Sequence, residues 1–513
     1  MTSIIKKPHE SYWLATTPRT HYSALKKPLS FDVAIIGGGI TGLTTAFLLK
    51  QAGKSVAVID SHSIASGESG HTTAHLTELI DTRYYDVIAK FGKEKAKEVA
   101  AASHESIKKI KEIIEHLSIS CDFKQIPGFL YTERKSDRSE LKRELEALHQ
   151  IGVHAKWENE APLPFRTWGA IHLPNQASFH PRKYLLAIAE AIHGNGSHVF
   201  ENTQAFEMID GDPCQITCKA GRIIARDLIV TTHSPSANKV LLHTKLAAYR
   251  TYAVAGTLKH TPRLDALYWD TQDPYHYIRN QDSVWIIGGE DHKTGMKTDA
   301  NSSFINLKEY VQSRFGWQEL QYRWSGQVLE PIDGLPYIGL NPLSEHLYVA
   351  TGFSGTGMTF GTVAAILLSD LILNRVNSWA ELFNPSRIKP LSTLRTYITE
   401  NKDFPLCFIK DRLMPSDVES LGEVHRGEGK TIRFNGKKIA VYRDLEDNIH
   451  GLEPECTHLG CHVRWNNAEA SWDCPCHGSR FDVEGNVING PATQNLNQVS
   501  LHSKKHQQKK RAA

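Results

Sequence analysis

Near the start of the chain, apolar residues fall in short unbroken runs. Val33 to Ile36 is one, followed by Gly37, Gly39 and Gly42 and then by an apolar helical stretch; Val56 to Ile59 is another, closed by Asp60. Unbroken runs of this length predict strands buried on both faces. Val99, Ile107, Ile110, Ile114 and Leu117 recur at helical spacing with Lys and Glu elsewhere, which predicts a helix with one face on a core. Gly352, Gly355 and Gly357 precede a second apolar helical stretch, from about Thr359 to Leu373. Between these patterns, residues from roughly 150 to 325 are rich in strand-forming residues.

The order strand, glycine turn, helix, strand, acid is that of a dinucleotide-binding unit. Gly37 allows the tight turn, Gly39 lets the backbone approach a pyrophosphate, and Gly42 permits close packing of helix on strand. Asp60 would accept hydrogen bonds from ribose hydroxyls. A tight turn without a ligand would also use the glycines, but it would not require the acid. The hydroxyl-rich loop "SIASGESGHTTAHLT", Ser63 to Thr77, contains His71, Thr72 and Thr73 and suits closure over a flavin; its composition equally fits an ordinary surface loop. The helix start after Gly352, Gly355 and Gly357 could face a flavin ring and stabilise negative charge there.

Composition narrows the class. At 513 residues, two or three domains are expected. The hydrophobic fraction of 40% and charged fraction of 22% are ordinary, and no stretch approaches the roughly 18 to 20 apolar residues of a membrane span. "MTSIIKKPHESYW" has no signal-peptide core, so a cytoplasmic location is expected. A net charge of +3 is too small for a nucleic-acid partner, and the basic cluster from Lys504 reads as a solvated tail.

Cysteines crowd into one segment, with Cys456, Cys461, Cys474 and Cys476 in "CTHLGC" and "CPCHGSRF". Cys456-x-His458 and Cys474-x-x-His477 place one Cys and one His in each of two loops, fifteen residues apart. Zinc fingers generally pair Cys with Cys and His with His. A Rieske [2Fe–2S] centre needs two thiolates on one iron and two imidazoles on the other, which this spacing supplies.

The N-terminal motifs resemble the D-amino-acid oxidase superfamily of FAD enzymes, which includes glycine oxidase, sarcosine oxidase and γ-glutamylputrescine oxidoreductase. "IVTTHSPSAN" (229–238, with Thr232), "IIGGEDHKTG" (286–295), "DGLPYIG" and "LYVATGFSGTGMTF" are similar to that family's flavin and substrate segments. The resemblance implies FAD and a small-molecule substrate. At Val328 and Thr359, however, it would place an arginine and a lysine that bind a substrate carboxylate, and at Gly326 a flavin-linking cysteine. Plain α-amino acids therefore fit poorly, since a buried carboxylate needs a partner. The resemblance also implies a noncovalent flavin unless His71 carries a link. Arg279 of "YHYIR" is a substitute anion partner beside Tyr275, His276 and Tyr277, although a surface or structural arginine is the commoner reading of that stretch; Arg279, Tyr277 and His71 are the substrate-contact candidates.

The C-terminal segment, about 404 to 498, resembles the Rieske proteins of cytochrome bc complexes. That resemblance implies a disulfide between Cys461 and Cys476, uncommon in a reducing cytosol, and a covering loop at "NGPA" (489–492). Ser479 keeps a cluster-facing hydroxyl, whereas Phe481 stands where the respiratory type has tyrosine. A reduction potential below the respiratory kind, within about −150 to +300 mV, is expected.

The implied architecture is an α/β Rossmann-like FAD-binding domain with a β-rich substrate domain, plus a small all-β C-terminal Rieske domain. Flavoprotein residues are 1–380, with FAD-binding segments at about 31–80, 195–240 and 325–380 and substrate segments at about 81–194 and 241–324. A linker (381–403), the Rieske domain (404–500) and a basic tail (501–513) follow. The expected function is oxidation of an amine or amino-acid-like substrate, with electrons passing from FAD to the cluster and on to a redox protein or quinone, as a dehydrogenase rather than an oxidase. A reductase module feeding a partner and a redox or iron sensor are the alternatives. A second complete G-x-G-x-x-G unit, expected for direct NAD(P)H use, is not found in the sequence.

Overall fold

The computed structural model describes residues 9–235, 242–387, 399–400, 408 and 411–501. The basic tail beyond Leu501, most of the 381–403 linker and the 236–238 end of the "IVTTHSPSAN" stretch lie outside the described residues. Described residues form two compact units, 9–292 with 303–387, and 293–302 with 399–501.

In the first unit, one sheet carries the strands Tyr337–Leu340, Leu347–Thr351, Gly221–Val230, Leu29–Ile36, Val56–Ile59 and His198–Phe200 in that order. All neighbours are parallel except the first pair. Side chains of a strand alternate between faces, and the two apolar runs use this fully. Val33, Ile35, Val56 and Val58 enter one core cluster, while Ala34, Ile36, Ala57 and Ile59 enter another. That division explains why the runs contain no polar position. Helix Ile40–Gln51 follows the central strand, and helix Gly357–Ile372 shares its cluster.

Ser354–Ile372 corrects one expectation. It is long and apolar enough to cross a membrane by length and composition. Because most of it is buried within the fold, its apolar character is that of a core helix. The predicted amphipathic helix is Lys93–Leu117; Val99 and Ile110 are fully buried, and Ile107, Ile114 and Leu117 pack against the same core.

A second, nine-stranded sheet is built around the antiparallel pair Leu246–Leu258 and Trp317–Pro331, continuing through Val284–Lys293 and Tyr277–Gln281. His276 stands just ahead of the interior strand Tyr277–Gln281. Its Nδ1 lies 2.9 Å from Asp270 and its ring stacks on Tyr310 at 3.9 Å. Burial opposes the imidazolium, but the hydrogen bond with Asp270 and the Glu290 carboxylate 3.8 Å from Nε2 hold its pKa up to about 9.

The second unit contains a three-stranded sheet (Glu428–Phe434, Lys437–Arg443, Ile449–Leu452) and a four-stranded one (Arg464–Asn466, Ser471–Asp473, Arg480–Phe481, Val487–Asn489). Segment 293–302, expected within the substrate domain, groups with this unit. The reason is local: Arg464 donates to Gly295 O, and Asn467 bonds both Asn301 and Asp299. Arg480 lies buried between Asp473 and Glu469, each 3.0 Å away, directly beneath the second Cys/His loop. Arg480→Leu would leave two carboxylates without their cation and should destabilise this unit by about 3 to 5 kcal/mol. A denaturant titration following cluster absorbance should show the loss; an unchanged midpoint would refute the role.

Candidate functional site

Three groups of residues converge in the first unit. At the carboxyl ends of the central strands, Gly37 N–H donates to Ile59 O (2.9 Å), and Thr231 Oγ1 donates to Ile36 O (3.0 Å) and Gly37 O (3.2 Å). A methyl group at Gly42 would fall 1.9 Å from Gly37 O, so only glycine lets the helix approach the turn this closely. Gly39 caps that helix without a side chain, and Ser69 Oγ accepts the Ile40 N–H at 3.0 Å. Asp60 receives the Gly38 and His62 N–H groups on different oxygens, both at 2.8 Å. Each oxygen keeps a further acceptor direction for a ribose hydroxyl. Burial pushes the Asp60 carboxyl up against the pull of those two donors. These residues fit a dinucleotide cofactor: a close-approach turn, a helix start and an acceptor at the end of the second strand.

The second group surrounds the short helix Glu68–His71. Glu68 accepts the Gln327 N–H at 2.6 Å, and Trp324 Nε1 donates to His71 O at 2.7 Å. Burial raises the cost of the Glu68 charge, but His233, Arg250 and His71 outweigh it and hold the carboxyl below its ordinary value. His71 Nδ1 faces Gly67 O at 3.0 Å. The neighbouring hydroxyls serve local structure: Thr72 Oγ1 accepts the Ala74 N–H, Thr73 Oγ1 meets His75 Nδ1, and Thr232 Oγ1 donates to Ser234 O.

The third group lies where Gly352, Gly355 and Gly357 lead into helix Gly357–Ile372. The Gly355 N–H donates to Asp81. A methyl group at Gly355 would lie 2.7 Å from Tyr275 Oη and 3.0 Å from Asp81 Oδ2, so these groups converge on one point. Tyr277 Oη is 2.6 Å from Thr251 Oγ1.

Arg279 does not belong to this convergence. It is fully buried, and it donates to the carbonyls of Ala74 (2.9 Å), Phe179 (3.1 Å) and Thr73 (3.4 Å) and to Gln281 (2.6 Å). Its guanidinium fastens the 73–74 loop to the substrate sheet, which replaces the anion-binding expectation with a structural one. Val328 is buried and pairs across strands with Tyr249. Thr359 exchanges hydrogen bonds with the Thr77 backbone. Neither position supplies a cation. Asp81, Glu68, Arg250, Thr251 and Asp291 escaped the motif reading, although Arg250, a lone charge inside an apolar strand, carried a usable signal.

In the second unit the two Cys/His loops repeat one geometry. Cys456 N–H donates to Cys461 O and Gly460 N–H to Cys456 O; Cys474 N–H donates to Ser479 O and Gly478 N–H to Cys474 O. Gly460 and Gly478 take φ of 76° and 77°, a left-handed turn that favours glycine. The Cys456 thiol is held down to about 7 by its hydrogen bond with Cys474, helped by the N–H groups of His458 and Leu459 and the Ser479 hydroxyl. Cys474 is pushed up by the same pair, while the N–H groups of Cys476 and His477 point at its sulfur. His458 and His477 face each other edge-on at 5.1 Å. Two adjacent sulfurs surrounded by N–H donors, beside two imidazoles, fit a [2Fe–2S] cluster. Cys461 and Cys476 form a disulfide joining the loops, which leaves Cys456 and Cys474 as the free thiols of these loops that could serve as ligands. Phe481 is fully buried in the core behind the cysteines.

The family model for FAD dependent oxidoreductases matches residues 32–371, and that for the Rieske [2Fe-2S] domain matches 415–500. The chain is 34% identical over 508 residues to the Rieske 2Fe-2S iron-sulfur protein YhfW of Bacillus subtilis (strain 168), covering 97% of this chain and 98% of that one. It is 24% identical over 386 residues to gamma-glutamylputrescine oxidoreductase of Escherichia coli (strain K12), covering 71% and 88%. Glycine oxidase from Geobacillus kaustophilus shares the fold, with a TM-score of 0.59 at 18% identity over 70% of this chain and 99% of that one.

Gly42→Val should yield a chain without bound flavin, read from the ratio of 450 nm to 280 nm absorbance; full flavin content would contradict the cradle. Cys456→Ser should abolish the Rieske EPR signal and leave the flavin spectrum, whereas a retained signal would contradict the ligand assignment. Phe481→Tyr should raise the cluster potential, because a new hydroxyl near the sulfurs stabilises the reduced state; an unchanged or lower potential in a redox titration would contradict this.

Proposed function

Because the chain belongs to the FAD dependent oxidoreductase family and carries a C-terminal Rieske [2Fe-2S] domain, we propose that it oxidises an amine or amino-acid-like small molecule, with electrons leaving through the cluster. When bound, FAD supplies two-electron acceptance and one-electron release, and the cluster supplies a one-electron carrier. The remaining work is done by the chain's own groups. Gly37, Gly39, Gly42 and Asp60 hold the nucleotide end, and Gly352, Gly355 and Gly357 present a helix start toward the ring. Glu68, Arg250 and His233 form an electrostatically coupled set around the short helix Glu68–His71. Cys456 and Cys474 hold one iron and His458 and His477 the other, with N–H groups stabilising the sulfurs.

The observation that carries this reading is a complete flavin fold and a complete Rieske ligand set in one chain. A one-electron outlet inside the same polypeptide favours a dehydrogenase, with a redox protein or quinone as acceptor and the cytoplasm as the setting. The gamma-glutamylputrescine oxidoreductase relative supports amines as the substrate class.

Anaerobic mixing with secondary amines, N-methyl amino acids, γ-glutamylated polyamines and NAD(P)H tests the reading. An amine should bleach the flavin, and a reduced-cluster EPR signal should follow. Reduction by NAD(P)H alone would instead favour a reductase that feeds a partner.

A further inference from the structure

Asp291 is an acid that the flavin fold does not account for. It follows the apolar run Trp285–Ile287 on strand Val284–Lys293, and although the residue is half-buried, its Oδ1 is shielded from solvent without a hydrogen-bond partner among the described residues. Its other stabilising contact is the Thr251 hydroxyl, which also meets Tyr277 Oη. Thr251 sits directly across from Gly326, and Gly326 abuts Glu68 and His71 O. On the other side, Asp291 acts electrostatically on Tyr275, Tyr277 and Asp81, and Asp81 holds the Gly355 N–H. The same patch therefore borders both flavin-facing segments.

Its charge is one-sided. The cations acting on the two carboxylates are Arg83, beside Asp81, and His276, which is already committed to Asp270 and Glu290. Glu290 adds negative charge near Asp291. Burial and the Asp81 charge push the Asp291 carboxyl up to about 7, as expected of an acid lacking a cation. Neither Val328 nor Thr359 supplies positive charge, and Arg279 is committed to main-chain carbonyls.

We propose that Asp291 and Asp81, with the hydroxyls of Tyr275 and Tyr277, form a cation subsite that binds the substrate's ammonium group and selects amines without a carboxylate on the nitrogen-bearing carbon. The proposal rests on the amine-oxidation reading and names the substrate class for it. The unpartnered, shielded Oδ1 of Asp291 gains from a hydrogen-bonded cation, Asp81 at the exposed side adds its charge, and the tyrosine hydroxyls can accept the remaining ammonium protons.

The test titrates the flavin-loaded protein, without oxygen, with butylamine, butane-1,4-diamine, glycine and butanoate, reading the shift of the flavin absorption band and the heat of binding. The two amines should bind, glycine and butanoate should not, and Asp291→Asn should weaken amine binding about tenfold or more. Asp291→Glu should restore part of it. Retained flavin and an unchanged melting temperature in Asp291→Asn separate loss of charge from loss of fold; if that variant does not fold, the Asp291→Glu and Asp81→Asn affinities decide. Binding of butanoate in place of the amines, no amine binding, or equal amine affinity in the Asn variants would overturn the subsite. Asp291-dependent amine binding without flavin bleaching would leave the subsite standing while the oxidation reading failed.

Discussion

Main-chain N–H groups turned toward negative charge are the interaction on which both centres depend. In the first unit, a glycine turn at the end of a buried strand brings a helix start close enough for a pyrophosphate. In the second, two six-residue loops aim N–H groups at Cys456 and Cys474, with Gly460 and Gly478 supplying the left-handed turn in each. Side chains could not substitute for these donors without occupying the space that the cofactor must enter. The buried sheet edges and the Asp473–Arg480–Glu469 ion group hold such turns in place.

Charge then divides the first unit into roles. Arg279 is used to build, joining the loop after the flavin segment to the substrate sheet. Glu68, Arg250 and His233 balance one another near the flavin-facing strands, whereas Asp291 and Asp81 share a patch with little compensating charge. Amino-acid recognition needs a cation facing the substrate. The positions where the family resemblance implies one carry valine and threonine, so the same fold offers the opposite electrostatic sign.

Features that rest on short sequence spacing were legible. The nucleotide unit lies within Phe31 to Asp60, and the two Cys/His loops lie within Cys456 to Ser479, so local pattern contained most of their geometry. The acidic patch was not legible, because Asp81, Thr251, Tyr275 and Gly355 come together only through sheet pairing and long-range packing. Arg279 was misleading for the same reason: its acceptors at Ala74 and Phe179 are 205 and 100 positions away. Segment 293–302 could not be assigned from composition, since its partners are Arg464 and Asn467. The helix Ser354–Ile372 shows that apolar length does not by itself separate a core helix from a membrane-spanning one.

The most direct measurement of the central claim is rapid-freeze EPR after anaerobic mixing of the loaded protein with an amine that reduces it, alongside stopped-flow absorbance of the flavin. The account predicts flavin bleaching first, then a Rieske signal whose growth matches partial flavin reoxidation, the two electrons of one amine being divided between flavin and cluster. A cluster that stays oxidised while the flavin remains fully reduced would contradict it.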